Sequence, residues 1–250
     1  TDRCDFRCVY CMAEEMTFLP RESIMSLEEI ELVARAFVEL GVSRIRITGG
    51  EPLVRRGLVE NLHKIGHLEG LKELLITTNG SQLVRHAKAL KEAGVKRLNV
   101  SLDSLDEVKF KDMTRTWKLP QVLQGINAAI EEGFERIKIN AVVMRGSNDD
   151  EVLDLVEFAR DKGIDIAFIE EMPLGTIESH DRALTYCSSD DVREIIEQRY
   201  PLIHNHQKTA GLSRDYSMPN HDTRIGFISP HSHNFCADCN RRRAFTAMFR

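Results

Sequence analysis

Three cysteines open the sequence at a spacing that can do chemistry: Cys4-x3-Cys8-x2-Cys11. Three thiolates this close can hold three corners of a 4Fe–4S cube and leave the fourth iron without a protein ligand. Such an open iron can take a small chelating ligand and pass it one electron. Zinc would want a fourth donor and tetrahedral closure, and the nearest candidates, Glu14 and Glu15, are poor structural-zinc ligands. The spacing therefore favours iron–sulfur. A second pair, Cys236-x2-Cys239, stands near the other end, preceded by His231 and His233. Two imidazoles and two thiolates also suit a structural zinc site, which would make the tail a scaffold. Cys187 matches no ligand position and reads as an ordinary buried or partly exposed thiol. Five of the six cysteines in two tight clusters do not make a secreted disulfide framework.

Polar residues recur where strands end. Gly49-Gly50-Glu51-Pro52, Thr77-Thr78-Asn79-Gly80, Ser101-Leu102-Asp103 and Glu170-Glu171-Met172-Pro173 each follow a short apolar run. Ligands bind at the carboxyl ends of parallel strands. Any one of these could be only a turn, since turns favour Gly, Asn and Asp. For four together, sharing a lumen with Arg46 and Lys138, that turn-only reading weakens.

The elements that must position these groups alternate between strand and helix from about residue 26 to 171. Ser26 and Glu29 form a capping box for a helix reaching Gly41, with Ile30, Val33, Ala34, Phe37 and Leu40 on one face. Strands are expected at 44–48, 72–77, 97–102, 136–143 and 165–170. Helices are expected near 54–66, 83–93, 121–132 and 149–161, the last three closed by Gly94, Gly133 and Gly163. This rhythm implies a parallel sheet with right-handed crossovers. Parity then chooses the architecture. Ile45 and Ile47 oppose Arg46 and Thr48; Leu98 and Val100 oppose Asn99 and Ser101; Ile137, Ile139 and Ala141 oppose Lys138, Asn140 and Val142. A strand covered by helices on both faces would be apolar throughout. The fold class is therefore α/β: a partial, incomplete TIM-type βα barrel of about six parallel strands, with helices outside and a wet lumen. The barrel is assigned to residues 1–173. Residues 174–250 form a C-terminal extension covering the open side, with a helix near 190–198 capped by Ser189 and a last strand near 223–229.

The 250 residues carry 34 Lys+Arg against 39 Asp+Glu, a formal charge of −5, with 42% apolar and 29% charged residues. That composition is globular rather than disordered, and not basic enough for nucleic acid to be the main partner. No apolar run approaches the roughly 20 residues of a spanning helix, and no signal peptide is evident. No membrane partner and a cytoplasmic location are the expectations.

Cys4-Asp5-Phe6-Arg7-Cys8-Val9-Tyr10-Cys11 resembles the cluster motif of radical S-adenosylmethionine (SAM) enzymes, aromatic residue included, and Gly49-Gly50-Glu51-Pro52 resembles their GGEP element. The match narrows further. Thr77-Thr78-Asn79-Gly80, Asn99-Val100-Ser101-Leu102-Asp103, Phe168-Ile169-Glu170-Glu171-Met172 and Gly226-Phe227-Ile228-Ser229-Pro230 resemble the molybdenum cofactor biosynthesis protein A family, the GTP 3′,8-cyclases. So does the run from Phe235 to Arg243, so the resemblance covers nearly the whole chain.

That resemblance implies a reaction and a set of roles. The cluster on Cys4, Cys8 and Cys11 reductively cleaves SAM. The 5′-deoxyadenosyl radical abstracts the 3′ hydrogen of GTP, and the ribose closes onto C8 of guanine on the way to the pterin of molybdenum cofactor. Tyr10, Gly50, Ser101 and Met172 would contact SAM. Arg46, Thr77, Lys138, Arg241 and Arg243 would contact GTP. Cys236 and Cys239 would hold a second 4Fe–4S cluster whose open iron binds the guanine. The implied partners are GTP, SAM, an electron donor of flavodoxin or ferredoxin type, the next enzyme of the pathway, and a second copy in a homodimer. Another radical SAM enzyme with an auxiliary cluster is the alternative, separated by whether GTP binds selectively.

The sequence departs from the family pattern at both ends. It starts at Thr1, without the strand and arginine that precede the first Cys in the family. After Arg243 it carries neither a third ligand for the second cluster nor a glycine-rich tail. Two thiolates leave half of a cube's irons dependent on outside ligands. For the chain as written, the expectation is impaired cyclisation and about four irons rather than about eight.

Overall fold

Ser26 starts the first helix with a reciprocal pair of bonds. Its hydroxyl accepts the Glu29 amide at 3.1 Å, and the Glu29 carboxylate accepts the Ser26 amide at 2.6 Å. Helix α1 then spans Leu27–Glu39. Leu40 is its cap residue and is 81% exposed, so it does not join the apolar face, because the chain turns away at Gly41. The structure, a computed structural model, describes residues 1–172, 180–205 and 213–233.

The expected alternation follows: β1 (Arg44–Ile47), α2 (Leu58–Gly66), β2 (Glu73–Thr78), α3 (Leu83–Glu92) and β3 (Val95–Ser101). After α4 (Glu107–Thr114) and α5 (Leu119–Glu131) come β4 (Arg136–Val143), α6 (Val152–Asp161) and β5 (Asp165–Glu170). Gly94, Gly133 and Gly163 all take positive φ directly after their helices, as C-terminal caps do. The last described elements are α7 (Arg182–Thr185), α8 (Ser189–Glu197), β6 (Ile203–His204), β7 (Arg214–Ser217) and β8 (Arg224–Ile228).

One sheet runs in the order β1-β2-β3-β4-β5-β8-β7-β6. Its first six strands pair in parallel, as a partial barrel requires, and β7 and β6 add an antiparallel hairpin. The sheet does not close, with β1 at one edge and β6 at the other. The sixth parallel strand, β8, comes from beyond residue 174, so the extension continues the sheet. The helices bury one face of the sheet; Leu62, Ile65, Leu90, Val122, Ile126, Leu155 and Val156 are fully buried, as are Ile76, Leu98 and Ile139 of the strands. On β4, Ile137, Ile139, Ala141 and Val143 are buried while Lys138, Asn140 and Val142 are partly open.

Several local expectations need correction. The cap of α8 is Ser188, not Ser189: the Ser188 hydroxyl accepts the Asp191 amide at 3.1 Å and Asp191 answers at the Ser188 amide. Helix α2 starts at Leu58 rather than near 54, because Gly57 at φ +79° breaks it from a short 3-10 turn at Pro52–Val54. Residues 149–151 are likewise a 3-10 turn ahead of α6. Helices α4 and α7 and the β6–β7 hairpin are not legible in the hydrophobic pattern. Helix α4 buries only Phe110, Met113 and Thr114, and starts because Asp106 caps the amides of Val108 and Lys109.

Candidate functional site: a cysteine loop and the inner face of the sheet

The loop of Cys4, Cys8 and Cys11 is held by backbone before any metal is considered. The Arg7 and Val9 amides donate to the Thr114 and Met113 carbonyls at 3.0 and 2.9 Å, which moors the loop to the end of α4. Phe6 is buried and packs edge-on against Phe110 at 5.8 Å. The Arg7 guanidinium folds back onto the Cys4 and Phe6 carbonyls at 2.6 and 2.8 Å. Asp5 ties the loop to the β2–α3 turn, accepting from Asn79 at 2.7 Å, Ser81 at 2.8 Å and Lys118 at 2.8 Å.

The other wall of the loop explains the paired glycines. The amides of Gly50 and Glu51 donate to the Thr1 and Arg3 carbonyls, both at 2.8 Å. A Cβ on Gly50 would sit 2.2 Å from the Arg3 oxygen, and one on Gly49 would sit 2.5 Å from the Thr1 oxygen. Only glycine admits that approach. Glu51 turns inward and is 1% exposed, accepting from Leu53, Thr78 and Asn79 at 2.9, 2.8 and 2.6 Å. Burial, only partly offset by these bonds, raises its carboxyl to about 7.

The thiols suit an iron–sulfur cluster by the chemistry of the donor set. Three soft donors sit on one short loop, and Cys4 Sγ accepts the Phe6 amide at 3.4 Å and Asn79 Nδ2 at 3.8 Å. Burial, then the charges of Asp103, Cys11 and Cys4, push the Cys8 thiol well above its ordinary value. Burial also raises Cys4 and Cys11. Bound iron would supply the positive charge that such thiols need in order to ionise.

Beside the loop lies a cavity of about 150 Å³, lined by Tyr10, Ser101, Asp103, Asn140, Val142, Ile169, Glu170 and Met172. Three of the four residues assigned to SAM, namely Tyr10, Ser101 and Met172, therefore share one wall. Gly50 does not line it and stands at the glycine turn instead. Asp103 fixes Tyr10, accepting its phenol at 2.7 Å and the Val142 amide at 2.9 Å. Its complete burial raises its carboxyl to about 6 against those bonds. Asn140 Oδ1 is buried in this wall without a hydrogen-bond partner in the described structure, an acceptor that a ligand hydroxyl or amine would satisfy. Sequence reasoning placed Asp103 and Glu170 at strand ends but missed them as cavity walls.

Deeper in the sheet, register aligns the charged row. Thr77 pairs with Asn99, Asn99 with Lys138, and Lys138 with Asp165. Lys138 Nζ stands 3.5 Å from Asp215 Oδ1, with 12% of its side chain exposed. Its burial lowers the ammonium below its usual range, and the charges of Asp215 and Asp165 only partly restore it. Arg46 belongs to the next row, aligned through Leu75 with Arg97 and Arg136. It is exposed and lies three strands from Lys138, so the two share a face without touching. Cys187 is a buried thiol, pushed up to about 11 by burial and then by Asp191.

The Radical SAM superfamily signature matches residues 1–159, and the Molybdenum Cofactor Synthesis C signature matches residues 164–247. A protein of Ectopseudomonas mendocina named GTP 3′,8-cyclase is 60% identical over 243 residues, 97% of this chain and 73% of its own. Pseudomonas aeruginosa GTP 3′,8-cyclase 2 is 61% identical over the same shares. This chain belongs to the GTP 3′,8-cyclase family of radical SAM proteins. Its fold is also that of Streptococcus suis SuiB in the crystal structure with bound S-adenosylmethionine. That match has a TM-score of 0.66 at 19% identity, over 97% of this chain and 52% of SuiB. The partial barrel is thus the superfamily's, and a 4Fe–4S cluster with SAM is its cofactor set. Of the residues that the cyclase resemblance assigns, Cys236, Cys239, Arg241 and Arg243 lie outside the described residues. The rings of His231 and His233, the rival zinc donors, meet Tyr186 edge-on and Asp190 at 3.1 Å. No described helix is long and apolar enough to cross a membrane.

Proposed function

We propose that this chain is a radical SAM enzyme that joins C3′ of GTP to C8 of its guanine, giving (8S)-3′,8-cyclo-7,8-dihydroguanosine 5′-triphosphate, the first step towards molybdenum cofactor. The observation that carries this reading is the cavity shared by Tyr10, Ser101 and Met172 beside the three-cysteine loop, in a chain about 60% identical to curated GTP 3′,8-cyclases.

The residues divide the work. Cys4, Cys8 and Cys11 hold a 4Fe–4S cluster, which supplies one electron to SAM and so yields the 5′-deoxyadenosyl radical. Tyr10, pinned by Asp103, forms one wall for SAM; Ser101 and Asn140 offer polar contacts and Met172 an apolar one. Gly50, whose amide is committed to the Thr1 carbonyl, would have its own carbonyl to offer the SAM amino group. Thr77, Lys138 and Arg46 hold oxygens of GTP on the inner face, and Lys138 exchanges its loose contact with Asp215 for a charge-assisted bond to substrate. Cys236 and Cys239 would supply two of the ligands of a second 4Fe–4S cluster, whose chemistry would be to bind the guanine, with Arg241 and Arg243 beside it in sequence. Residues 1–173 supply five of the six parallel strands of the radical-generating barrel, and 174–250 supply the sixth and complete the substrate site. A flavodoxin- or ferredoxin-type donor in the cytoplasm supplies electrons, the product passes to the next enzyme of the pathway, and the working form is a homodimer.

Anaerobic incubation with SAM, reductant and GTP tests the reading. The expected outcome is 5′-deoxyadenosine together with a product isomeric with GTP. Deoxyadenosine with GTP unchanged and unbound would favour a different substrate.

A further inference from the structure

Strand β5 ends in a carboxylate whose partners have no part in the roles assigned so far. Glu170 is 2% exposed and lies on the wall of the cavity that Tyr10, Ser101 and Met172 line. Its Oε1 accepts the Ser189 amide at 2.9 Å, at the start of α8, and also the Ser232 hydroxyl. Its Oε2 accepts the amides of His231 at 3.0 Å and Ser232 at 3.1 Å. A carboxylate has about four lone-pair sites, so these four donors leave none for substrate or proton transfer. Burial opposes its charge, but the bonds from Ser232, Ser189 and His231 outweigh it and hold the carboxyl below the usual range.

The donors come from two distant parts of the chain. Ser189 begins α8, whereas His231 and Ser232 follow β8. Two further bonds run alongside: Ser229 Oγ to Ser189 Oγ at 2.7 Å, and His233 Nε2 with Asp190 Oδ2 at 3.1 Å. In sequence, Cys236 follows His233 by three residues.

We infer that Glu170 is a positioning residue, the joint that seats residues 229–233, which lead in sequence to Cys236 and Cys239, against the SAM cavity. The inference rests on the reading of that cavity given under Proposed function. A radical formed in the cavity reacts productively only if the substrate is held at the right distance. Loosening the joint therefore separates SAM cleavage from product formation.

Two variants of the full, cluster-loaded chain test this. Glu170→Gln keeps the shape but turns an amide donor towards donors. Ser232→Ala removes one hydroxyl at an exposed residue outside the cavity wall, so it stays folded if the first variant does not. Hydrogen–deuterium exchange at the amides of 231 and 232 should rise about tenfold in Glu170→Gln and about threefold in Ser232→Ala, with β2 unchanged. The ratio of GTP-derived product to 5′-deoxyadenosine should fall by similar factors, while Ser232→Ala cleaves SAM within about twofold of the parent. Unchanged exchange in both variants would overturn the joint. Raised exchange with an unchanged ratio would overturn its part in the reaction. A parent that cleaves SAM but makes no GTP product would sink the cyclase reading instead, and the exchange result would still decide the joint.

Discussion

Around the cysteine loop, the buried and half-buried carboxylates are committed to the protein's own backbone and neighbours. Asp5 and Glu51 fix the β2–α3 turn, and Asp103 fixes Tyr10 and β4. Along two neighbouring rows of the sheet the pattern reverses, because cations stand opposite acids at looser range. Lys138 is 3.5 Å from Asp215, Arg97 is 3.7 Å from Glu73, and Arg136 is 3.3 Å from Asp165. The first region is locked, as suits a cluster and cofactor that must keep one geometry. In the second region the charges are paired loosely enough for a polyanion to displace the acids.

Removing a lock at its centre should have the largest effect. Cys8→Ala takes away one of three thiolates from a cluster with no spare ligand, so 5′-deoxyadenosine formation should fall to background. An optical spectrum after anaerobic reconstitution reports the same loss. Retained SAM cleavage at the parent rate would remove Cys8 from the site.

On the exchangeable side the expected effect is smaller and selective. A lost charge-assisted bond costs about 1.5–3 kcal/mol, roughly ten- to a hundredfold in affinity. Calorimetry on Lys138→Ala should therefore show GTP weakened by that factor and SAM nearly unchanged. Equal weakening of both ligands would erase the distinction between the regions.

Much of this arrangement is legible in the sequence, and the parts that are not have identifiable causes. The period-two alternation in β1, β3 and β4 exposes the polar inner face, and the glycines after α3, α5 and α6 mark helix ends. Helix α4 escapes notice because its cap, Asp106, precedes only two large buried side chains, Phe110 and Met113. Yet α4 moors the cysteine loop through Thr114 and Met113. The residues assigned to SAM are matched by motif, and Glu51 and Asp103 lie in the same motifs, but the bonds those two acids make are not legible there. Nothing local distinguishes Glu51 or Asp103 from a turn residue until strand order brings Thr78, Asn79 and Val142 to meet them.

The locked region should also carry a pH signature. The Glu51 carboxyl is raised from 4.5 to about 7, so between those values the folded protein keeps a proton that the unfolded chain has lost. The contribution of this one group is then most favourable below pH 4.5 and declines by on the order of 3 kcal/mol as pH rises to and through 7. Denaturant titrations at pH 5 and 8 should show that decline in the parent and much less of it in Glu51→Gln. The same slope in both would assign it to other groups. The smallest effect is expected at the rim, where Asp5→Asn keeps one acceptor oxygen for Asn79 and loses the one that takes Ser81 and the partly exposed Lys118. About 1 kcal/mol of stability should go, read from the same titrations.

The central claim is that the locked region makes a radical that acts on a nucleotide held by the exchangeable one. GTP carrying deuterium only at C3′, incubated anaerobically with SAM and reductant, tests it most directly. The account predicts that mass spectrometry finds the deuterium in 5′-deoxyadenosine and that the product retains none at C3′. Deoxyadenosine free of label, with the deuterium still in GTP, would contradict it.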